Sequence, residues 1–235
     1  MRQIERWGPT LIVVSLLAAT AVSFVVAQRK KLEPSPIAGT DVDEIFSPVC
    51  RCPTGAARIE FTLRRPDTVT VEIVRAGNDA VVRTLVSRRR LGTSGIRLRW
   101  DGRGDRGRVV AEGTYRARVE LARRRRSFLF PNPIELDATP PRISLSRPLA
   151  LRLRVGGQLV VAYELSEQAR PLLFVDGRRA VRGRLREGLA GELLWNGSVH
   201  GRELRPGRHR ISFAAVDRAG NRSRPSRAVS VVLER

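Results

Sequence analysis

Histidine, methionine, lysine and aromatic residues are all scarce in this 235-residue chain, which has two histidines, one methionine, two cysteines and 5% aromatic residues. It contains no zinc-binding histidine pair, no P-loop and no glycine-rich dinucleotide fingerprint, so it lacks the signatures of the common metal- and nucleotide-dependent enzymes. No Ser or Cys nucleophile lies in a recognisable motif near His200, one of the two histidines. We therefore predict a protein that is not an enzyme and takes no cofactor or metal.

One stretch of sequence occurs twice, about 95 residues apart, and this period predicts two copies of one domain. Each copy has a Trp followed by a turn and glycines at the same spacing, and His209 aligns with Tyr115. The motif residues are Trp100, Asp101, Gly102, Gly107, Gly113 and Tyr115 in the first copy, and Trp195, Asn196, Gly197, Gly201 and Gly207 in the second. Two carboxylates, Asp101 and Asp105, are too few for the six or more oxygen ligands of calcium. We interpret the motif as structural.

Apolar residues alternate with polar ones in both halves of the chain, as in half-buried strands. The clearest cases are residues 57–63, 68–74 and 114–121 in the first half and 158–165 and 211–215 in the second. Because aromatic residues are few, the core must consist mainly of Val, Leu, Ile and Ala, which favour strands. We predict an all-β fold with two tandem β-sandwiches, residues 45–137 and 138–235.

The first repeat also resembles a known family. Phe46-Ser47-Pro48, the two strands that follow and the segment from Trp100 to Tyr115 are similar to the immunoglobulin-like domain of the flagellar hook-capping protein family. The resemblance covers about 90 residues. It implies that the two tandem β-sandwiches are immunoglobulin-like or fibronectin-III-like. The segment 215–221 resembles the closing hairpin of many bacterial immunoglobulin-like repeats.

The N-terminal part of the chain has an uncharged apolar run at residues 7–27, about the length that spans a bilayer. We predict a short cytoplasmic tail at residues 1–6, an uncleaved transmembrane signal anchor at 7–27 and a stalk at 28–44. A cleaved secretory signal peptide is the alternative. The predicted location is the cell membrane, with both domains outside the cytoplasm.

The formal net charge is +21, nearly all of it from arginine. Residues 45–137 carry a net charge of +10 and residues 138–235 one of +11, so the charge is spread and favours a generally basic surface. Two runs fall in predicted loops, where converging guanidinium groups bind phosphate or carboxylate. These are residues 88–90 and the predicted anion-binding loop Arg123, Arg124, Arg125 and Arg126.

Cys50 and Cys52 are the two cysteines. They are compatible with a disulfide within the loop, an intermolecular disulfide, a two-thiolate metal site without its other ligands, or free thiols.

The function predicted from these features is non-catalytic. Two membrane-anchored modules would serve a structural, adhesive or accessory role, binding an anionic envelope polymer or a partner protein. The alternatives are an extracytoplasmic nucleic-acid-binding protein, disfavoured by the scarcity of aromatics, and an accessory of a degenerate glycan-acting enzyme. The sequence does not indicate an oligomeric state.

Overall fold

The computed structural model describes residues 8–32, 34–146 and 152–235. Residues 39–235 form one compact unit, and the preceding residues belong to a separate one. The predicted cytoplasmic tail, residues 1–6, lies outside the described residues.

The helix α1 spans Gly8–Leu32, and the side chains that the structure describes in it, those of residues 12–25, are exposed. Across the described ranges, no helix has both the length and the apolar character that a membrane span requires. The predicted transmembrane anchor at residues 7–27 and the predicted cell-membrane location are therefore wrong.

The first β-sandwich lies within residues 37–136. Its strands are β1 (Ile37–Val42), β2 (Ile45–Phe46), β3 (Ala57–Leu63), β4 (Asp67–Arg75), β5 (Val81–Leu91), β6 (Ile96–Trp100), β7 (Gly113–Leu121), β8 (Arg126–Leu129) and β9 (Ile134–Leu136). The predicted alternation appears directly in the burial of β3: Ile59, Phe61 and Leu63 are almost completely buried, whereas Glu60 and Thr62 are only partly buried.

The second β-sandwich lies within residues 143–234. Its strands are β10 (Ile143–Leu145), β11 (Arg152–Arg154), β12 (Leu159–Leu165), β13 (Ala169–Val175), β14 (Arg178–Arg182), β15 (Ala190–Trp195), β16 (Ser198–Val199), β17 (Arg202–Glu203), β18 (Gly207–Asp217) and β19 (Val229–Glu234). Side chains from both of its main sheets form one hydrophobic core, which includes Leu173, Trp195 and Phe213.

The strand order is the same in both sandwiches. In the first, the sheet β1-β3-β6 is separate from the sheet β2-β9-β7-β4-β5, and in the second β10-β12-β15 is separate from β11-β19-β18-β13-β14. In the first sandwich, β1, β3 and β6 correspond to strands A, B and E of the immunoglobulin fold, and β4, β7 and β9 correspond to strands C, F and G. Strands A, B and E form one sheet and strands C, F and G the other, which is the immunoglobulin-like arrangement. The chain is an all-β protein with tandem immunoglobulin-like sandwiches.

The two copies of the repeated motif make the same hydrogen bonds. The indole N–H of Trp100 donates to the carbonyl of Arg103, and that of Trp195 donates to the carbonyl of Ser198, three residues on in each case. The Tyr115 hydroxyl donates to the carbonyl of Ala111, four residues earlier. In the second sandwich the equivalent contact joins Nε2 of His209 to the carbonyl of Arg205, at 2.9 Å. The motif thus fixes the entry to β7 and to β18.

The glycines of the motif also have matching backbone conformations. Gly113 and Gly207 have φ values of +140° and +144°, and Gly102 and Gly197 have +75° and +80°, a region that strongly favours glycine. A Cβ atom at Gly102 would also lie 2.7 Å from Cβ of Pro48. This position explains why glycine follows Asp101.

The structure differs from the sequence prediction in two places within the first sandwich. Residues 28–44 do not form an irregular stalk, because α1 extends to Leu32 and β1 occupies Ile37–Val42. Residues 88–90 do not form a loop, because β5 continues to Leu91. The consecutive arginines hid this strand, since they leave no apolar face with a period of two.

Candidate anion-binding site

A groove of about 480 Å³ lies on the first sandwich and brings the two arginine runs together. We call it the arginine groove. Its lining consists of Thr68, Thr70, Arg88, Glu120, Leu121, Ala122, Arg125, Arg126 and Ser127. Arg88 comes from the first run, and Arg125 and Arg126 come from the second, 37 residues further along the chain.

The floor of the groove is formed by neighbouring strands. Thr70 of β4 pairs with Glu120 of β7, and Glu120 pairs in turn with Ser127 of β8. Because side chains on one face of a sheet lie side by side across the strands, this register places hydroxyl and carboxylate groups in a row. The sequence showed the alternation in β4 and β7 but not their register, so these floor residues were missed.

One wall of the groove is formed by a bulge in β5. The register against β4 shifts between the pairs Val69–Arg89 and Val71–Val86, which leaves extra residues on β5. Arg88 lies in this bulge with φ of +43°, and its N–H donates to Oγ1 of Thr70 at 3.2 Å. The bulge therefore holds Arg88 beside the floor.

The opposite wall is the turn between β7 and β8. The buried Asp67 carboxylate anchors the turn, because its Oδ1 accepts hydrogen bonds from the N–H groups of Thr68, at 2.7 Å, and Arg123, at 3.1 Å. Arg125 closes the turn with φ of +49°, and its N–H donates to the carbonyl of Ala122 at 3.3 Å. Backbone bonds thus fix the positions of the arginines in this wall.

Not all of the predicted loop lines the groove. Arg125 and Arg126 do so, whereas Arg123 and Arg124 lie in the same turn, exposed, and are not lining residues. Only two arginines of the predicted loop therefore line the groove, and Arg88, from outside that loop, lines it with them.

The three groove arginines are not neutralised by carboxylates. Within the described ranges, none of Arg88, Arg125 and Arg126 forms an ion pair. Arg118, on the neighbouring strand β7, shows the contrast, because it is paired with Glu72 at 2.7 Å. Three guanidinium groups and the single Glu120 carboxylate leave the groove with a net positive charge, suited to an anion that can accept several N–H and O–H bonds.

The cysteines lie elsewhere, between the two sandwiches. Cys50 and Cys52 form a disulfide with each other. Thr54, in the same loop, donates from its hydroxyl to the carbonyl of Ala219 at 2.6 Å, and Ala219 lies in the turn after β18. We call the contact between loop 47–54 and turn 217–223, together with linker residue Asp137, the joint.

The joint requires glycine at position 220. A Cβ atom there would lie 2.5 Å from Sγ of Cys52 and 2.6 Å from Oγ1 of Thr54. Arg218 adds an ion pair with Glu44 of the first sandwich, at 3.2 Å. The cysteine loop is therefore a packing surface between the sandwiches.

The remaining candidate residues have structural partners. Asp105 accepts a hydrogen bond from the N–H of Thr84 at 2.9 Å, and Asp101 accepts one from the N–H of Arg103 at 3.1 Å. The carboxylates of these two aspartates are thus used separately. Nδ1 of His209 lies 2.7 Å from Oδ2 of Asp176, so both ring nitrogens of this histidine have partners.

No protein-family model matches the chain, and no curated protein matches it. It is similar in structure to the fibronectin(III)-like modules of CbhA from Clostridium thermocellum, with 19% identity, a TM-score of 0.43 and coverage of 83% of this chain and 93% of that one. The human OSCAR ligand-binding domain is 10% identical, with a TM-score of 0.35 and coverage of 83% of this chain and 96% of that one. The YadV chaperone is 11% identical, with a TM-score of 0.30 and coverage of 84% of this chain and 100% of that one. The fold assignment rests on the strand order described above, and the resemblance to the hook-capping family stays a prediction.

Proposed function

We propose that this protein is a non-catalytic binding module that holds an anionic polymer in the arginine groove. The observation that carries the proposal is the convergence of Arg88, Arg125 and Arg126 over a floor that contains Thr68 and Thr70. None of the three arginines has an ion-pair partner in the described part of the chain. Such a set of donors matches phosphate or carboxylate groups, which accept bidentate hydrogen bonds from guanidinium.

The charge of the whole chain supports a polymer over a small anion. The protein has a formal charge of +21, which attracts a polyanion along the whole length of the polymer. Salt screens this attraction and weakens it. The groove would then supply fixed, short-range contacts within this general field. Immunoglobulin-like modules are compatible with such a binding role.

Two residues of the groove support a binding role through their backbone. Arg88 and Arg125 both have positive φ, a conformation that costs a residue other than glycine about 1–2 kcal/mol. Strain of this kind persists where the surroundings enforce it, and it is common at ligand sites.

The test is a salt series with the full chain and long-chain polyphosphate, polygalacturonate and duplex DNA as probes. The groove variant replaces Arg88, Arg125 and Arg126 with Ser. Its matched control replaces Arg182, Arg184 and Arg186, which are exposed residues of the second sandwich, so that both proteins lose the same charge. We expect the groove variant to bind polyphosphate or polygalacturonate at least tenfold more weakly than the control variant does.

Two results would contradict the proposal, and a third would change the class of polymer that it names. Equal losses in both variants would mean that only the general positive field attracts polymers. Absence of salt-dependent binding to every probe would remove charge as the basis of function. Preference for duplex DNA, with the same dependence on the groove arginines, would assign the site to nucleic acid instead.

A further inference from the structure

Three carboxylates meet at the joint, in a protein that is otherwise strongly basic. Asp137 follows β9, Glu167 lies in the turn between β12 and β13, and Asp217 ends β18. One oxygen from each lies within 4.8 Å of the other two. Two oxygens on opposite sides of a calcium ion are about 4.6–5.2 Å apart, since each Ca–O distance is about 2.3–2.6 Å. The cluster therefore has the dimensions of a calcium site.

Asp217 provides an independent indication of a ligand. Its side chain is 6% exposed, and its Oδ1 accepts hydrogen bonds from the N–H groups of Gly220, at 2.7 Å, and Asn221, at 2.8 Å. Its Oδ2 is buried and has no hydrogen-bond partner among the residues that the structure describes. A buried carboxylate oxygen without a partner is costly and requires an explanation, and a cation bound between the three carboxylates supplies one.

The cluster joins the two sandwiches. Asp137 is held to the first one, because its N–H donates to the carbonyl of Phe46 at 3.1 Å. Glu167 and Asp217 belong to the second. We propose that Asp137, Glu167 and Asp217 form a calcium site that clamps the two sandwiches together, with water and neighbouring oxygens completing the coordination. Carboxylate oxygens are ligands that hard cations such as calcium prefer.

The site is independent of the arginine groove, so its test is separate from that of the proposed function. Calcium and magnesium, each alone, are titrated calorimetrically into the full chain, and thermal unfolding is followed with each metal and with a chelator. We expect one calcium ion per chain, with a dissociation constant of about 10⁻⁴–10⁻³ M. Calcium should raise the midpoint of thermal unfolding, because a ligand that binds the folded state stabilises it.

Two variants locate the site and a third controls for charge. Glu167→Gln and Asp217→Asn should each weaken calcium binding at least tenfold, whereas the double variant Asp101→Asn, Asp105→Asn should bind as the original does. Glu167 makes no side-chain hydrogen bond in the described structure, so its variant tests the site even if Asp217→Asn fails to fold. Absence of saturable calcium binding, binding unchanged in Glu167→Gln, or equal affinity for magnesium would overturn the proposal.

Discussion

The hydroxyl of Ser47 donates a hydrogen bond to Oδ1 of Asn221 across the joint, at 2.5 Å, and both residues are buried. Nδ2 of Asn221 donates to the carbonyl of Asp137 at 3.0 Å. One amide therefore connects the second sandwich to a loop and to the linker of the first. Side chains with two such partners hold two surfaces at a defined angle.

Ser47→Ala should weaken this connection. Removing the hydroxyl leaves Oδ1 of Asn221 buried without a donor, which costs about 1–3 kcal/mol, so we expect the free energy of unfolding to fall by that amount in urea denaturation. Ser144→Ala, at an exposed position of β10, is the matched control and should change it by less than about 0.5 kcal/mol. Equal effects of the two substitutions would show that the hydrogen bond contributes nothing to stability.

Gly220 and Gly77 form a pair that separates backbone strain from crowding at the joint. Their φ values are +98° and +100°, but a Cβ atom at Gly77 would have no neighbour within 4 Å, whereas one at Gly220 would meet the cysteine loop. Gly77→Ala should therefore cost only the backbone strain, about 1–2 kcal/mol. Gly220→Ala should cost about 1–3 kcal/mol more, because overpacking adds to the strain.

Urea denaturation of the two alanine variants measures this difference. A loss in Gly220→Ala no greater than that in Gly77→Ala would mean that the sandwiches separate without cost. Small-angle scattering of Gly220→Ala then reports whether its maximum dimension has increased. An increase with unchanged stability would show a joint that is weak in solution.

The fold was predictable because its signals are local and repeated. Alternation identifies strands such as β3, β4 and β7, and the second copy of the motif around Trp195 gives the number of sandwiches. Trp100 illustrates the reason: its ring centroid lies 4.9 Å from that of Tyr115 and 5.2 Å from that of Phe46. Because the repeated motif supplies side chains to the core, it occurs in each of the two sandwiches.

Unlike the fold, the joint and the arginine groove could not be predicted from local sequence signals. In the sequence, Asp137 belongs to a predicted linker, Asp217 to a predicted turn and Glu167 to the end of a predicted strand. Only the packing of one sandwich on the other brings them together. Arg88 meets Arg125 because of a bulge and a register, which are set by cross-strand packing and leave no periodic pattern in the sequence. The spacing of Cys50 and Cys52 left four alternatives, because nothing local showed what their loop packs against.

The pair formed by His209 and Asp176 should make stability depend on pH. Burial alone would lower the pKa of His209, but the hydrogen bonds with Asp176 and with the carbonyl of Arg205 raise it overall. Burial would raise the pKa of Asp176, but hydrogen bonds from the N–H of Arg210 and from His209 lower it overall. The stabilisation is therefore fully present between the unfolded pKa values, about 3.9 for Asp and 6.5 for His.

This stabilisation is lost as pH rises through the folded pKa of His209, above about 6.5, or falls through that of Asp176, below about 3.9. Between pH 6 and pH 8 we expect the free energy of unfolding of the original chain to fall relative to that of His209→Gln. The fall should be only a fraction of a kcal/mol, because Asp176 is 48% exposed and water screens the pair. His200→Gln is the control and should follow the original chain. Parallel pH profiles of the original chain and His209→Gln would show that this pair does not couple to folding.

The arginine at position 125 should lower the stability of the fold and strengthen the binding of the anionic polymer. Its φ of +49° costs a residue with a Cβ atom about 1–2 kcal/mol, and Arg125→Gly removes that cost while increasing the entropy of the unfolded chain by about 0.4–1 kcal/mol. We therefore expect Arg125→Gly to raise the free energy of unfolding by up to about 1.6 kcal/mol. Arg125→Ala should leave it nearly unchanged, since alanine keeps the strained backbone.

Both Arg125 variants lack the guanidinium group, so both should bind the anionic polymer several-fold more weakly than the original chain. Urea denaturation and a polymer titration at one salt concentration give the two quantities for each protein. Lower stability of Arg125→Gly than of Arg125→Ala would show that the turn is not strained. Unchanged affinity in both would remove Arg125 from the arginine groove. Higher stability of the glycine variant together with weaker binding in both would show that the arginine is kept at this position for its ligand, at a cost to the fold.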